Sequence, residues 1–378
     1  MSPVSSHAPH GQSPLRTVQV LGGGNAGSSA HVRSLSAGLV ARGVRVTVCA
    51  PDETDRAYDF TGAGAAHVPV PRSSDPVSVA ALRTICSDAD LVHAHGLHAS
   101  FRAALALSGR TTPLVVTWHN HTRAEGPRAQ LLRLLERRVA KAATVVLGTT
   151  SQLVDRARRR GARDARLAAI AVPRPRGTAG YEDPERPRSK VRAELGSTGR
   201  PLLIAVAALE RHRGHELLLD AAHGWRDLDP APLVVIAGEG PLRAVLQRRI
   251  EDEELPVRLV GRRDDVGELL AAADLALLPR SGESRSVLAQ EALHAGVPLV
   301  AARTGGIPEI VGDAAELVPH QDAKAFADAV VRLLGDPGRR EALRERGTRQ
   351  AATWPTEDET VAQVLSVYDE LTQPRPLI

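Results

Sequence analysis

Cysteine, lysine and aromatic side chains are scarce in this 378-residue chain, and each scarcity removes a class of protein. The two cysteines, Cys49 and Cys86, cannot build a disulfide framework, and neither belongs to a Cys-x-x-Cys pair. That usage fits a reducing, cytoplasmic setting. Three tryptophans, three tyrosines and three phenylalanines are too few for a platform on which single-stranded nucleic acid stacks. No apolar run approaches the roughly 20 residues that span a bilayer, and the opening MSPVSSHAPHGQSPLR lacks the apolar segment of an export signal. The net charge of +4 rests almost wholly on arginine, since Lys141, Lys190 and Lys324 are the only lysines. Such arginine- and alanine-rich usage reflects a GC-rich coding bias, so the charge does not mark a nucleic-acid surface and no nucleic-acid partner is expected.

What the chain has is alternation. Residues 1–14 read as a disordered leader. The strand TVQVLGG then enters a glycine-rich turn, a helix from about Ala30 to Arg42 and the strand RVTVCA. ADLVHAHG, PLVVTWHN and ATVVLGTT repeat the strand pattern with amphipathic helices between them. Between Val172 and Arg200 the alternation lapses into PRPRGTAGYEDPERPRSK, whose proline, glycine and charge mark a connection. It restarts at RPLLIAVAAL and continues through PLVVIAGEG, VRLVG, DLALLPR and PLVAAR. Short β-rich runs alternating with helices predict doubly wound parallel sheets. The expected organisation is a first Rossmann-like domain over 15–180, a linker over 181–200, a second such domain over 201–352, and a closing helix over 353–378 that crosses back to the first. Ligands are expected at the carboxyl ends of the strands, in a cleft between the domains.

Three constellations carry chemistry. Gly22, Gly24 and Gly27 form a G-x-G-x-x-G turn between a strand and a helix, the position of a dinucleotide site. A NAD site also needs an acid at the end of the second strand, where Cys49 and Ala50 stand, with Asp52 delayed behind Pro51. An NAD-dependent oxidoreductase is thus an alternative reading, and a helix N-terminus facing some other phosphate is the simpler one. His93 and His95 share one face of a strand, and His98, His119 and His121 lie nearby, yet no carboxylate or cysteine completes a ligand set at a diagnostic spacing. These histidines read as polar groups lining a cleft, and no metal cofactor is expected. Finally, Glu283 and Glu291 flank a strand-to-helix turn eight positions apart. Carboxylates accept hydrogen bonds from sugar hydroxyls, and the N–H groups at the helix start between them can receive a diphosphate. The loops GEG at 238–240, GRR at 261–263 and GG at 305–306 would share that rim. Separately, Arg128 to Lys141 interleaves leucines with arginines, a pattern that can lie on an anionic membrane surface.

The run DLALLPR…GESRSVLAQEALHAGVPLVAARTGGIPEIVGDAAELV, Asp274 to Val318, resembles the donor-binding core of glycosyltransferase family 4, retaining enzymes of the GT-B fold. DLVHAHG, VVTWHN, GTTSQLVDRARRRGA, RGHELLLDAA, VVIAGEGPL and the closing TW…VYDEL fall in family order. The resemblance implies a nucleoside-diphosphate sugar as donor, a lipid, glycan or small molecule as acceptor, and no metal. It implies that Glu291 holds the nucleotide ribose and Glu283 a hydroxyl of the donor sugar. The main chain of Ser284, Arg285, Ser286 and Val287 would lie against the diphosphate or sugar, with Gly240 on the same rim. Gly27 would approach the diphosphate from the first domain. His119 matches the family histidine near sugar and acceptor, with His93 and His95 on the acceptor side. Arg213 followed by Gly214 stands where the family has Lys-Gly and would neutralise the departing diphosphate. Three positions depart from the pattern. Ala208 occupies the place of a second cation, Arg285 and Ser286 replace a Phe-Gly, and Val172-Pro173 shortens the segment before the linker. A catalytically weakened GT-B protein acting as a partner or regulator is therefore a further alternative, unless Arg285 supplies the charge missing at Ala208.

Overall fold

Runs of β-branched and leucine residues four to six long, bounded by glycine, proline or aspartate, become buried strands, and the amphipathic stretches between them cover both faces. The computed structural model describes residues 14–22, 26–120, 126–168, 170–171, 185–280 and 286–373. The expected leader, up to residue 13, lies outside these, as do Gly24, His121, Glu283, Ser284 and Arg285.

The chain divides into two compact units, one of residues 1–148, 154–170 and 357–378, the other of 149–153 and 171–356. The first unit runs β1 (Arg16–Leu21), α1 (Ala26–Ala41), β2 (Arg45–Ala50), α2 (Asp52–Tyr58), β3 (Ala66–Pro69), α3 (Pro76–Ile85), β4 (Leu91–His95), α4 (Leu97–Ala106), β5 (Leu114–Trp118), α5 (Gly126–Ala142), β6 (Val145–Gly148), α6 (Ser151–Arg159) and β7 (Ala165–Leu167). Among the described residues its sheet has seven strands in the order β3-β2-β1-β4-β5-β6-β7, and every described pairing is parallel. The order reverses between β1 and β4, so a crevice opens at the carboxyl ends of these two strands.

The second unit runs α7 (Glu185–Glu194), β8 (Leu202–Val206), α8 (His215–Ala222), β9 (Leu233–Ala237), α9 (Arg243–Asp252), β10 (Val257–Gly261), α10 (Val266–Ala272), β11 (Leu275–Leu278), α11 (Val287–His294), β12 (Leu299–Ala302), α12 (Ile307–Val311), β13 (Glu316–Val318), α13 (Ala323–Gly335) and α14 (Pro337–Ala352). Its six described strands are parallel in the order β10-β9-β8-β11-β12-β13, with the reversal between β8 and β11. One core fills each face of this sheet: Leu203, Trp225, Ile236 and Phe326 on one side, Ile204, Leu269, Leu293 and Ile307 on the other.

The last helix, α15 (Glu357–Thr372), groups with the first unit. Val361, Val364, Val367 and Tyr368 place its apolar stripe in the core with Val32, Leu35 and Leu39 of α1. Gly38 makes that approach close, because a Cβ there would stand 2.5 Å from a methyl of Val361.

Two expectations need correction. Residues 185–194 are not linker but helix α7. Val191 and Leu195, four apart on one face, are buried in the second core, and Arg188 and Arg192 pair with Asp274 beside β11. Local proline and charge hid an amphipathic stripe whose value lies in what it packs against. The first helix also starts at Ala26, four residues before the expected Ala30.

Candidate active site

In the second unit the loops after β8 and β11 flank the reversal point, and glycines bring them into main-chain contact. Gly214 has φ +86° and caps α8; a Cβ on it would lie 2.7 Å from the carbonyl of Pro279, which follows β11. Arg213 is thereby held beside the start of the loop containing Glu283. Its guanidinium meets Glu210 at 2.9 Å, in an exposed ion pair. Such a pair contributes little and exchanges readily for a stronger anion. Gly238 and Gly240 are excluded from carrying side chains by the carbonyls of Ala207 and Leu209, at 1.9 and 2.4 Å from where a Cβ would be. The N–H of Gly238 donates to the carbonyl of Gly261 at 2.8 Å, and the Thr304 hydroxyl donates to that of Arg280 at 3.4 Å. The first contact joins the GEG and GRR loops, and the second joins the residue before the GG pair to the segment after β11.

Ser286 begins α11 as its cap: the buried hydroxyl accepts from the N–H of Ala289 at 3.3 Å. Val287 follows with its side chain exposed. One turn further, Glu291 is half-buried, and its carboxylate has no hydrogen-bond or ion-pair partner among the described residues. Burial raises its pKa above the ordinary carboxylate value. Ala208 brings no charge to the rim, and its carbonyl pairs with Nε2 of His215 at 2.9 Å. Burial lowers the pKa of that imidazole.

In the first unit, the reversal between β1 and β4 brings together side chains from five elements. His93 and His95 do share a face of β4, but both are enclosed, at 0% and 4% exposure. His93, expected on the acceptor side, is fully enclosed and so presents no face to a ligand. One ring nitrogen is 2.7 Å from the Tyr368 hydroxyl of α15 and the other 2.7 Å from the Thr117 hydroxyl of β5. His95 faces the Gln19 carbonyl oxygen of β1 at 3.0 Å and Nε2 of His119 at 3.3 Å. His119 is partly exposed and is the member of this row that reaches outward. The His31 ring of α1 meets those of His95 and His119 at 5.7 and 5.5 Å. Burial pulls the pKa of His93 down to about 3 and that of His95 well below the usual value, the neighbouring imidazoles adding to the shift. Among the described residues no three His, Cys, Asp or Glu side chains converge as metal ligands.

Gly27 sits in the first turn of α1 and is exposed. Arg102 of α4, 1% exposed, donates to the carbonyls of Leu21 at the end of β1 (2.9 Å) and of Pro71. At the end of β2, the Ala50 carbonyl receives the N–H of Val70 at 3.1 Å and pairs with Nε2 of His67 at 3.0 Å, while Nδ1 of that ring lies 3.6 Å from the Asp55 carboxylate. Sequence reasoning missed Gln19, Tyr368 and Arg102. The one available signal was Gln19 itself, an amide in the middle of the apolar strand TVQVL.

Two parallel-sheet Rossmann-like units, each with its loops gathered at the reversal of strand order, define the GT-B class of protein. The model of the family "Glycosyl transferase 4-like domain" matches residues 26–173, and that of "Glycosyl transferases group 1" matches 187–350. The chain is 30% identical over 309 residues to a D-inositol 3-phosphate glycosyltransferase of Salinispora arenicola, covering 74% of this chain and 68% of that one. It is 31% identical over 207 residues to a GDP-mannose-dependent phosphatidylinositol monomannoside mannosyltransferase of Mycolicibacterium smegmatis, covering 50% and 54%. The Anabaena HepE structure in complex with UDP superposes with a TM-score of 0.79 at 16% identity, covering 95% of this chain and all of that one. The chain belongs to glycosyltransferase family 4 and is a glycosyltransferase.

Proposed function

We propose that this enzyme moves a sugar, with retention, from a nucleoside-diphosphate sugar bound to the second unit onto a hydroxyl of an acceptor bound to the first. The observation that carries the reading is Glu291, a half-buried carboxylate left without a described donor beside the start of α11. A ribose diol supplies the two donors it lacks. The N–H groups opening α11 and the Arg213 guanidinium then suit the diphosphate. In the reaction the bond from the anomeric carbon to the diphosphate oxygen breaks and one from that carbon to the acceptor oxygen forms. The acceptor proton passes to the departing diphosphate. Arg213, Glu283 and His119 are the side chains assigned to the reacting groups, with charge stabilisation as the main source of rate. The resemblance implies no metal, and the chemistry described needs none. HepE's complex with UDP and the mannosyltransferase's use of GDP-mannose support a uridine or guanosine donor. The relatives' inositol phosphate and phosphatidylinositol mannoside acceptors support a hydroxylated, anionic or lipid-linked acceptor. For the lipid-linked case we assign a membrane-facing role to α5. Thermal unfolding of the full chain with UDP-, GDP- and ADP-sugars tests the donor: one series is expected to raise the midpoint and to be hydrolysed or transferred. No stabilisation by any of them would overturn the reading.

A further inference from the structure

Arg102 is a charge without a counter-charge. It is a lone cation in the apolar helix α4, LHASFRAALA, and it is almost wholly enclosed. A buried arginine is ordinarily paired with a carboxylate. Here no carboxylate pairs with it among the described residues, and the one titratable group that it feels is the Cys49 thiol, whose own pKa burial raises. A guanidinium offers five N–H donors, and the described contacts use two. One η nitrogen donates to the Leu21 carbonyl at 2.9 Å, the other to that of Pro71. The Nε–H is enclosed and meets no acceptor. Bracing two neutral carbonyls does not call for a charge, since a neutral amide would donate to them at a smaller cost of desolvation. Burial disfavours the charged form and lowers the pKa of this group, yet a guanidinium keeps its proton in a protein.

The place of the charge gives it a use. Leu21 ends β1 at the reversal of strand order, and Gly22 follows it on the way to α1. A Cβ on Gly22 would stand 4.0 Å from Nη2 of Arg102, and no other described atom beyond the chain neighbours lies within 4 Å. Gly22 is itself partly exposed. The missing side chain thus leaves a hollow, open at Gly22, whose described floor is a cationic nitrogen. The N-terminal end of α1 adds partial positive charge from the next element. A phosphate, with more than one negative charge, gains more from an uncompensated cation than a carboxylate does. We infer that Arg102 is the buried cation of a phosphate-binding hollow at the exit of β1, and that a phosphate group of a substrate supplies its counter-charge. That the phosphate belongs to a substrate rests on the proposed transferase reading; the hollow does not.

The probe is inorganic phosphate added to the full chain, with sodium chloride at matched ionic strength as the control. Phosphate is expected to raise the thermal midpoint of the wild type. It should also shift the Nε–H resonance of Arg102 in ¹⁵N-arginine spectra, a signal assigned by its loss in Arg102→Lys. Arg102→Gln keeps a donor for the carbonyls and removes the charge, and its affinity for phosphate should fall by about 10- to 100-fold. Arg102→Lys keeps the charge and should stay within about 10-fold of the wild type. UDP and GDP, whichever binds, then identify the source. If Arg102→Gln weakens the nucleotide by a similar factor and leaves the free nucleoside unaffected, the phosphate is the donor's. If the nucleotide binds as before while inorganic phosphate is lost, the hollow takes a phosphate of the acceptor. Should the Gln variant fail to fold, the wild-type midpoint and Nε–H shift decide the matter. No phosphate-specific effect on the wild type, or an Nε–H signal unmoved at saturation, would overturn the inference. So would a folded Gln variant that binds phosphate like the wild type, or a Lys variant as weak as the Gln one. A protein that binds phosphate in this way yet transfers no sugar from any nucleotide tells against the transferase reading alone.

Discussion

Burial raises the pKa of Glu291, and under the proposed ribose assignment the direction determines how a proton and a nucleotide would compete there. In the free protein the neutral acid is favoured relative to the unfolded chain, so the folded state holds more protons between the two pKa values. Stability therefore falls as pH rises through that window and is lowest once Glu291 is charged. A ribose that donates to the carboxylate reverses the preference and expels the proton. Nucleotide binding should then strengthen as pH rises through the raised pKa, with proton release visible by calorimetry in buffers of different ionisation enthalpy. Glu291→Gln is expected to abolish the proton release and weaken nucleotide binding by about 1.5–3 kcal/mol, while leaving the free protein at least as stable at neutral pH. Affinity that is unchanged in this variant would remove Glu291 from the ribose. At this scale the position was legible in sequence, as an acid one turn into a helix; its isolation was not, because that depends on what the other loops fail to bring near it.

At the scale of elements, main-chain contact joins the loops proposed to receive the donor. Gly214 combines a left-handed backbone with a Cβ position occupied by the Pro279 carbonyl, so it cannot be replaced without moving the loop after β11. Gly214→Ala is expected to cost about 1–3 kcal/mol in stability, read from the denaturant midpoint. It should also weaken nucleotide binding, because Arg213 moves with it. Unaltered binding in a destabilised but folded variant would show that the contact is structural alone. The Arg-Gly pair was visible in sequence since a glycine before a helix is a local signal. Helix α7 was not, because Val191 and Leu195 acquire meaning only against the core they enter.

At the scale of the whole molecule, no helix among the described residues is long and apolar enough to cross a membrane. Leu132, Glu136, Val139 and Ala140 turn one side of α5 inward, and Glu136 is held there by Arg156 and Arg160 at 2.6 and 2.7 Å. The opposite side leaves Leu131 and Leu134 57% and 60% exposed beside Arg137, Arg138 and Lys141. Two leucines among cations suit anionic lipid better than water. The full chain is expected to co-sediment with vesicles containing phosphatidylserine or phosphatidylinositol at low salt, and less with purely zwitterionic ones. Leu131→Glu with Leu134→Glu should release it without changing its fold. Equal sedimentation with both vesicle types would remove the proposal.

The sequence by itself determined the two runs of alternating strands and helices, the glycines at 214, 238 and 240, and the carboxylate at 291, because strand period, left-handed turns and helix starts are properties of a few neighbouring residues. Only the tertiary structure decided that His93 is a buried support and that Gln19 and Tyr368 stand behind the histidines. Gln19 and Tyr368 are 349 residues apart, and Tyr368 and His93 are 275 apart. Contacts over such distances follow from strand order and from where the last helix docks, and no local pattern encodes either.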